Sequence, residues 1–142
     1  MIKINSHAPL EDILPFVKDW LKLLAEGKLV EACAQIDEPY YKDVWWTPEL
    51  ILQIVHSTFD SQTHFYHRHP EGITFSNPYE LDERTQQIND WLKNKPDSEE
   101  DYTYYFEYDI PLSGEWSNLT ALFEFHKRNS SYAVRLRDLH VL

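Results

Sequence analysis

The stretch from Tyr102 to Val141 constrains the fold more than any other part of the chain. Tyr102, Tyr104, Phe106, Tyr108 and Ile110 alternate with Thr103, Tyr105, Glu107 and Asp109, and residues that alternate with a period of two lie on opposite faces of a β-strand. One of these faces is almost wholly aromatic. Pro111-Leu112-Ser113-Gly114-Glu115 ends this strand. The next sets Leu119, Ala121, Phe123 and Phe125 against Thr120, Leu122, Glu124 and His126, and a turn at Lys127 to Ser131 leads into a last strand from Tyr132 to Val141. Its apolar residues are Tyr132, Val134 and Leu136, then Leu139 and Val141. The phase slips by one residue between Leu136 and Leu139. An extra residue restores the inward direction of the side chains, so a β-bulge is expected near Arg137-Asp138. Three strands joined by short turns form an antiparallel meander, and its apolar face needs a cover.

The N-terminal residues supply that cover. Ile13, Phe16, Val17, Trp20 and Leu24 recur at three- and four-residue intervals and make one wide apolar stripe on a helix. Pro15 does not suit a regular helix interior, so the helix either starts near Asp12, with Pro15 in its first turn, or is kinked. Gly27 reads as a left-handed cap, and Leu29, Cys33 and Ile36 mark a second short helix that Pro39 ends. Thr47-Pro48-Glu49 combines a capping hydroxyl, a proline at the first helical position and a carboxylate at the positive end of the helix dipole. A third helix should run from there to about Phe59, packing through Ile51, Ile54 and Val55. From Gln62 to Phe75 the pattern suits short strands broken at Pro70-Glu71-Gly72. Leu81, Ile88, Trp91 and Leu92 mark a fourth helix over 80–93, followed by a loop from Asn94 to Asp101. The order predicts an α+β fold in a single domain over residues 1–142: N-terminal helices packed on a curved antiparallel β-sheet that ends in a three-stranded meander.

Charge narrows the function. The 142 residues include 13 Lys and Arg against 24 Asp and Glu, a formal net charge of −11. That balance repels a phosphate backbone and argues against a nucleic-acid partner. With 42% hydrophobic and 15% aromatic residues, the chain is too apolar to be a disordered acidic segment. No apolar run approaches the roughly 18 residues of a membrane span, and the first residues, Met1-Ile2-Lys3-Ile4-Asn5, lack the apolar core of a secretion signal. A cytoplasmic protein without a membrane partner is expected. Cys33 is the only cysteine; it forms no intramolecular disulfide and reads as a small buried hydrophobe. Gly27, Gly72 and Gly114 are too scattered for a phosphate-binding loop, and no cofactor is expected.

Two stretches carry a family resemblance. Trp20-Leu21-Lys22-Leu23-Leu24-Ala25-Glu26-Gly27-Lys28-Leu29-Val30-Glu31-Ala32, a helix, a glycine and a second helix, resembles the opening of nuclear transport factor 2-like (cystatin-like) proteins. Tyr108-Asp109-Ile110-Pro111-Leu112-Ser113-Gly114-Glu115-Trp116-Ser117-Asn118-Leu119-Thr120, closed by Leu136-Arg137-Asp138-Leu139-His140-Val141-Leu142, is similar to small uncharacterised bacterial proteins of this kind. The resemblance implies helices on a strongly curved sheet and, for some members, an immunity role against a toxin. It also implies an alternative, because enzymes of the superfamily of the isomerase and dehydratase kind use Asp, His and Tyr side chains in a cone-shaped cavity on the concave sheet face.

Five constellations hold candidate chemistry. Asp109 shares its strand face with Tyr105 and is opposite Tyr104 and Tyr108; a carboxylate and a phenol of this kind can move a proton beside a carbonyl and hold the resulting enolate. His126 shares a face with Glu124, the spacing of an acid–base pair and equally of strand-surface neighbours. His67 and His69 would project from one face of a strand, with His64 opposite; two imidazoles without a third ligand do not make a metal site, so no metal is expected. Tyr40-Tyr41-Lys42-Asp43-Val44-Trp45-Trp46 is too aromatic for an ordinary exposed loop and either seals the core or forms a binding surface, since Trp and Tyr dominate interface hot spots. The run Asp97-Ser98-Glu99-Glu100-Asp101 is a solvated loop or a docking edge for a basic partner. The leading expectation is a non-enzymatic module that binds a basic protein through Tyr40, Tyr41, Trp45, Trp46 and the acids Asp97, Glu99, Glu100 and Asp101. The alternatives are a cavity enzyme or small-ligand binder, and a homodimer that pairs through its exposed sheet face.

Overall fold

The alternating segments build an antiparallel sheet. The computed structural model describes residues 1–82, 93–96 and 102–141. Its strands are β1 (Ile2–Lys3), β2 (Lys93–Pro96), β3 (Tyr102–Leu112), β4 (Glu115–Arg128) and β5 (Ser131–Val141), in the spatial order β1-β5-β4-β3-β2. The helices are α1 (Pro9–Ala25), α2 (Leu29–Ala34), α3 (Pro48–Thr58) and α4 (His64–Arg68), with a 3-10 turn at Pro78–Glu80. The fold is α+β, as expected, with the helices before the long curled sheet.

Side-chain alternation sets the core. Phe106, Tyr108 and Ile110 of β3, Leu119, Phe123 and Phe125 of β4, and Val134, Leu136 and Leu139 of β5 are all buried together with Ile13, Val17, Trp20 and Leu24 of α1. Aromatic edges lock the two layers: Trp20 meets Phe123 at 5.4 Å, and Phe16 meets Phe125 at 5.9 Å, both close to perpendicular. The buried Trp20 indole donates to the Ala32 carbonyl at 2.9 Å, tying α1 to α2. Gly27, at φ +76°, ends α1, and the Lys28 amide reaches back to the Leu23 carbonyl in a Schellman cap. Thr47 caps α3 through its hydroxyl, 3.1 Å from the Leu50 amide.

Both departures from regular pairing have a visible cause. Phe123 pairs with Leu136 and Leu122 with Asp138, so Arg137 is the surplus residue of the bulge that the phase slip predicts. The bulge returns Leu139 to the core. The second irregularity has no counterpart in the hydrophobic pattern: Asp109 pairs with Thr120 but Pro111 with Trp116, which leaves surplus residues on β4. Pro111 has no amide hydrogen for the ladder, and the buried Ser117 hydroxyl fills the break by donating to the Ile110 carbonyl at 2.6 Å and accepting from the Leu119 amide at 3.2 Å. Each hairpin closes through two residues, Ser113-Gly114 and Asn129-Ser130; Ser113, Gly114 and Asn129 have positive φ, as such tight turns demand.

Three expectations need correction, and two fall outside the described residues. The first helix starts at Pro9, not near Asp12, because Pro9 takes the first helical position and the Asp12 carboxylate holds the Asn5 and Ser6 amides at 3.1 to 3.3 Å; Pro15 lies inside the helix on its exposed side. The segment from His64 to Arg68 is a helix rather than a strand: the Thr63 hydroxyl caps it, 3.2 Å from the Tyr66 amide, and Phe65 anchors it on Phe59 at 4.6 Å. Lys93–Pro96, expected as the end of a helix and the start of a loop, pairs with Tyr102–Tyr105 as β2. The fourth helix falls almost entirely on residues 83–92 and the acidic run on 97–101, outside the described residues. Among the described residues no helix is long and apolar enough to cross a membrane.

Pro15 has a measurable consequence. It removes an i to i−4 hydrogen bond from the interior of α1, where proline costs roughly 3 kcal/mol relative to alanine, its effect on the unfolded chain included. Pro15→Ala should therefore stabilise the fold by up to about 3 kcal/mol, read as an increased urea midpoint with an unchanged slope.

Candidate functional site

One sheet face is covered by helices, and the polar side chains converge on the other. The segment between α2 and α3, residues 35–47, crosses the free edge of β5 and acts as a strap. The Asp37 amide donates to the Val134 carbonyl at 2.8 Å, and the Asp37 carboxylate accepts from the Val134 amide at 2.7 Å, so a side chain imitates a neighbouring strand. Further along, the buried Trp46 indole donates to the Leu136 carbonyl at 2.6 Å. The strap's middle is held from beneath by Arg135, whose Nε and Nη2 donate to the carbonyls of Pro39 and Tyr40 at 3.3 and 2.9 Å.

Between these anchors the strap makes a tight turn. The Tyr40 amide donates to the Val44 carbonyl at 2.7 Å, the Val44 amide to the Tyr41 carbonyl at 2.8 Å, and Lys42 takes a positive φ of 50°. The aromatic segment, read from sequence as either a seal or a surface, is both. Trp46 is 4% exposed and packs on Tyr40 with ring centres 4.8 Å apart, whereas Tyr41, Val44 and Trp45 are 58%, 51% and 50% exposed. Three large apolar side chains thus stand on a backbone that is fixed at both ends.

Beneath the strap lies an ionic network. Arg135 Nη1 donates to both oxygens of Glu124 at 3.0 and 3.3 Å, and His126 Nε2 lies 3.3 Å from Glu38 and 3.6 Å from Glu124, with its Nδ1 at 2.9 Å from the Thr103 hydroxyl. Burial acts to raise the pKa of Glu124, but contact with His126 and the hydrogen bonds and charge of Arg135 outweigh it and hold the carboxyl below its usual 4.5. A groove of about 580 Å³ continues along the same face, lined by Tyr40, Tyr41, Glu107, Leu122, Arg135, Arg137, Asp138 and His140. Glu107, Leu122 and Asp138 form one cross-strand row of β3, β4 and β5. Asp138 holds His140 by its Nδ1 at 2.8 Å.

The other sequence candidates are spread out. Asp109 and Tyr105 share the face opposite the helices; Asp109 accepts from the Thr120 hydroxyl at 3.0 Å and sits in the row Asp109–Thr120–His140. Glu124 and His126 meet, but as part of the strap's support. His67 and His69 do not share a strand face, since His67 is in α4 and His69 caps its end; His69 Nε2 lies 2.9 Å from Glu115, which Arg68 also binds. Among the described residues no group of three His, Cys, Asp or Glu is arranged to hold a metal. Cys33 is half-buried in α2, and burial together with the nearby Glu49 pushes its thiol pKa up, away from the thiolate form. Asp97, Glu99, Glu100 and Asp101 lie outside the described residues.

Sequence reasoning missed Asp37, Arg135 and the Asp138–His140 pair. The two-residue spacing of Asp138 and His140 on one strand was the signal for the pair; nothing local marks Asp37, whose partner lies 97 residues away. Comparison of the chain with protein-family models, curated proteins and solved structures returns no match.

The lowered Glu124 pKa ties the network to acid stability. A carboxylate whose pKa is depressed on folding adds stability that is complete above its unfolded value and disappears as the pH falls through its folded one. Glu124→Gln should flatten the loss of melting temperature below about pH 4.5 relative to the wild type. At neutral pH it should destabilise the protein by about 3 kcal/mol, since Arg135 then loses its charge partner.

Proposed function

We propose that the chain is a small acidic binding module of the nuclear transport factor 2-like kind that engages a basic protein, as an immunity protein neutralises its toxin. The observation that carries this reading is the knuckle of Tyr41, Val44 and Trp45: apolar and half-exposed, yet set on a rigid turn. Aromatic side chains ordered before binding lose little entropy on association and are the residue types that dominate interfaces. Charge supports a basic partner. On the strap itself Asp37, Glu38 and Asp43 outnumber Lys42, and a chain of net charge −11 accelerates encounter with a positive surface. The element order, helices before a curled antiparallel sheet, supports the superfamily.

The test is retention of host proteins on the immobilised full chain, compared with Trp45→Ala and Tyr41→Ala. Trp46 is left intact because it belongs to the core. The expected result is a basic protein retained by the wild type, weakened at least about tenfold, or about 1.4 kcal/mol, by Trp45→Ala, and released by raised salt. Retention that ignores Trp45, or no specific basic protein, would sink the proposal. Molar mass at micromolar concentration separates it from self-pairing: a dimer lost in Trp45→Ala would put a second copy of the chain where the basic partner was placed.

A further inference from the structure

The groove beside the knuckle points to a more specific role, which rests on the basic-partner reading above. We infer that it receives a lysine or arginine side chain of the partner. The groove is amphipathic along its length. Leu122, Tyr40 and Tyr41 are among its lining residues, which suits the aliphatic stem of a long cationic side chain. Tyrosine faces attract cations; Lys42 Nζ now stands 5.3 Å from the centre of the Tyr41 ring, so an incoming cation displaces this exposed ammonium into water.

The polar end is Glu107. It is half-buried, in one row with Leu122 and Asp138, and has no hydrogen-bond or ion-pair partner among the described residues. The remaining charges decide the sign. Arg135 is already matched by Glu124, and its Nε and Nη2 are occupied by the strap carbonyls. Asp138 faces His140. Arg137 is exposed at the bulge, likewise without a partner among the described residues, and its charge opposes an incoming cation. Its long side chain can turn into water, whereas Glu107 is fixed on the middle of a paired strand.

The probe is Nα-acetyl-arginine N-methylamide, with the matching citrulline compound as an uncharged isostere, titrated into the isotope-labelled full chain and followed by amide chemical shifts. The arginine compound should shift the amides of Glu107, Leu122 and Asp138 saturably while the citrulline compound does not. Glu107→Gln should weaken that binding at least about fivefold, and Arg137→Gln should strengthen it about twofold, with melting temperatures close to the wild type. Equal shifts from both compounds, shifts elsewhere on the surface, or an unchanged affinity in Glu107→Gln would overturn the inference. The two proposals fail separately: Trp45-dependent retention of a basic protein without groove binding removes only the groove, and groove binding without such retention removes the partner.

Discussion

The hydrogen bond from the buried Trp46 indole to the Leu136 carbonyl is the contact on which the rest of this arrangement hangs. β5 is an edge of the long sheet over most of its length, because β1 covers only Ser131 and Tyr132. An open edge offers unpaired amides and carbonyls to any passing strand. Here the next outward groups are taken one after another by parts that are not strands: Val134 by Asp37, the Leu136 carbonyl by Trp46, and the Leu139 amide by its own neighbour Asp138. The same bonds that close the edge fix the strap, so edge protection and presentation of Tyr41, Val44 and Trp45 are one structural solution.

The two faces of the sheet obey different physics. Toward the helices, burial of aromatic area dominates, with ring contacts among Trp20, Phe16, Phe123 and Phe125. On the other face the interactions are ionic and their net worth is small. Desolvating Glu124 and the Arg135 guanidinium offsets much of their attraction, so the pair adds little stability while making its own rupture expensive. What it supplies is direction. Arg135 has one geometry in which Glu124, Pro39 and Tyr40 are all satisfied, and that geometry sets the height of the strap above the sheet.

Much of this was legible in the sequence because the code of a strand or a helix is local. The period-two runs identified β3, β4 and β5, the phase slip located the Arg137 bulge, and Thr47-Pro48-Glu49 marked the start of α3. Failures came where short-range chemistry or long-range pairing prevails. Thr63 and Asp60 turn a strand-like stretch into α4 through caps that hydrophobic patterning does not register. The break repaired by Ser117 leaves no phase signal, since the surplus residues of β4 restore the original alternation on its far side. In the aromatic segment the sequence showed that Trp45 and Trp46 matter, but consecutive residues on a strap must point apart, and only the register on β5 tells which one faces the core.

That register also changes what the acidity of the chain means. A net charge spread evenly would act at long range and be screened within about 10 Å at ordinary salt. Carboxylates gathered on one face behave differently: Glu38 and Glu124 are held against His126 and Arg135, while Glu107 has no such partner among the described residues and lines a groove with Tyr40 and Tyr41. Arg135 borders the groove and carries the strap, so the charged face and the aromatic knuckle share one support. A partner reading the knuckle is brought over the groove by the geometry of a single guanidinium.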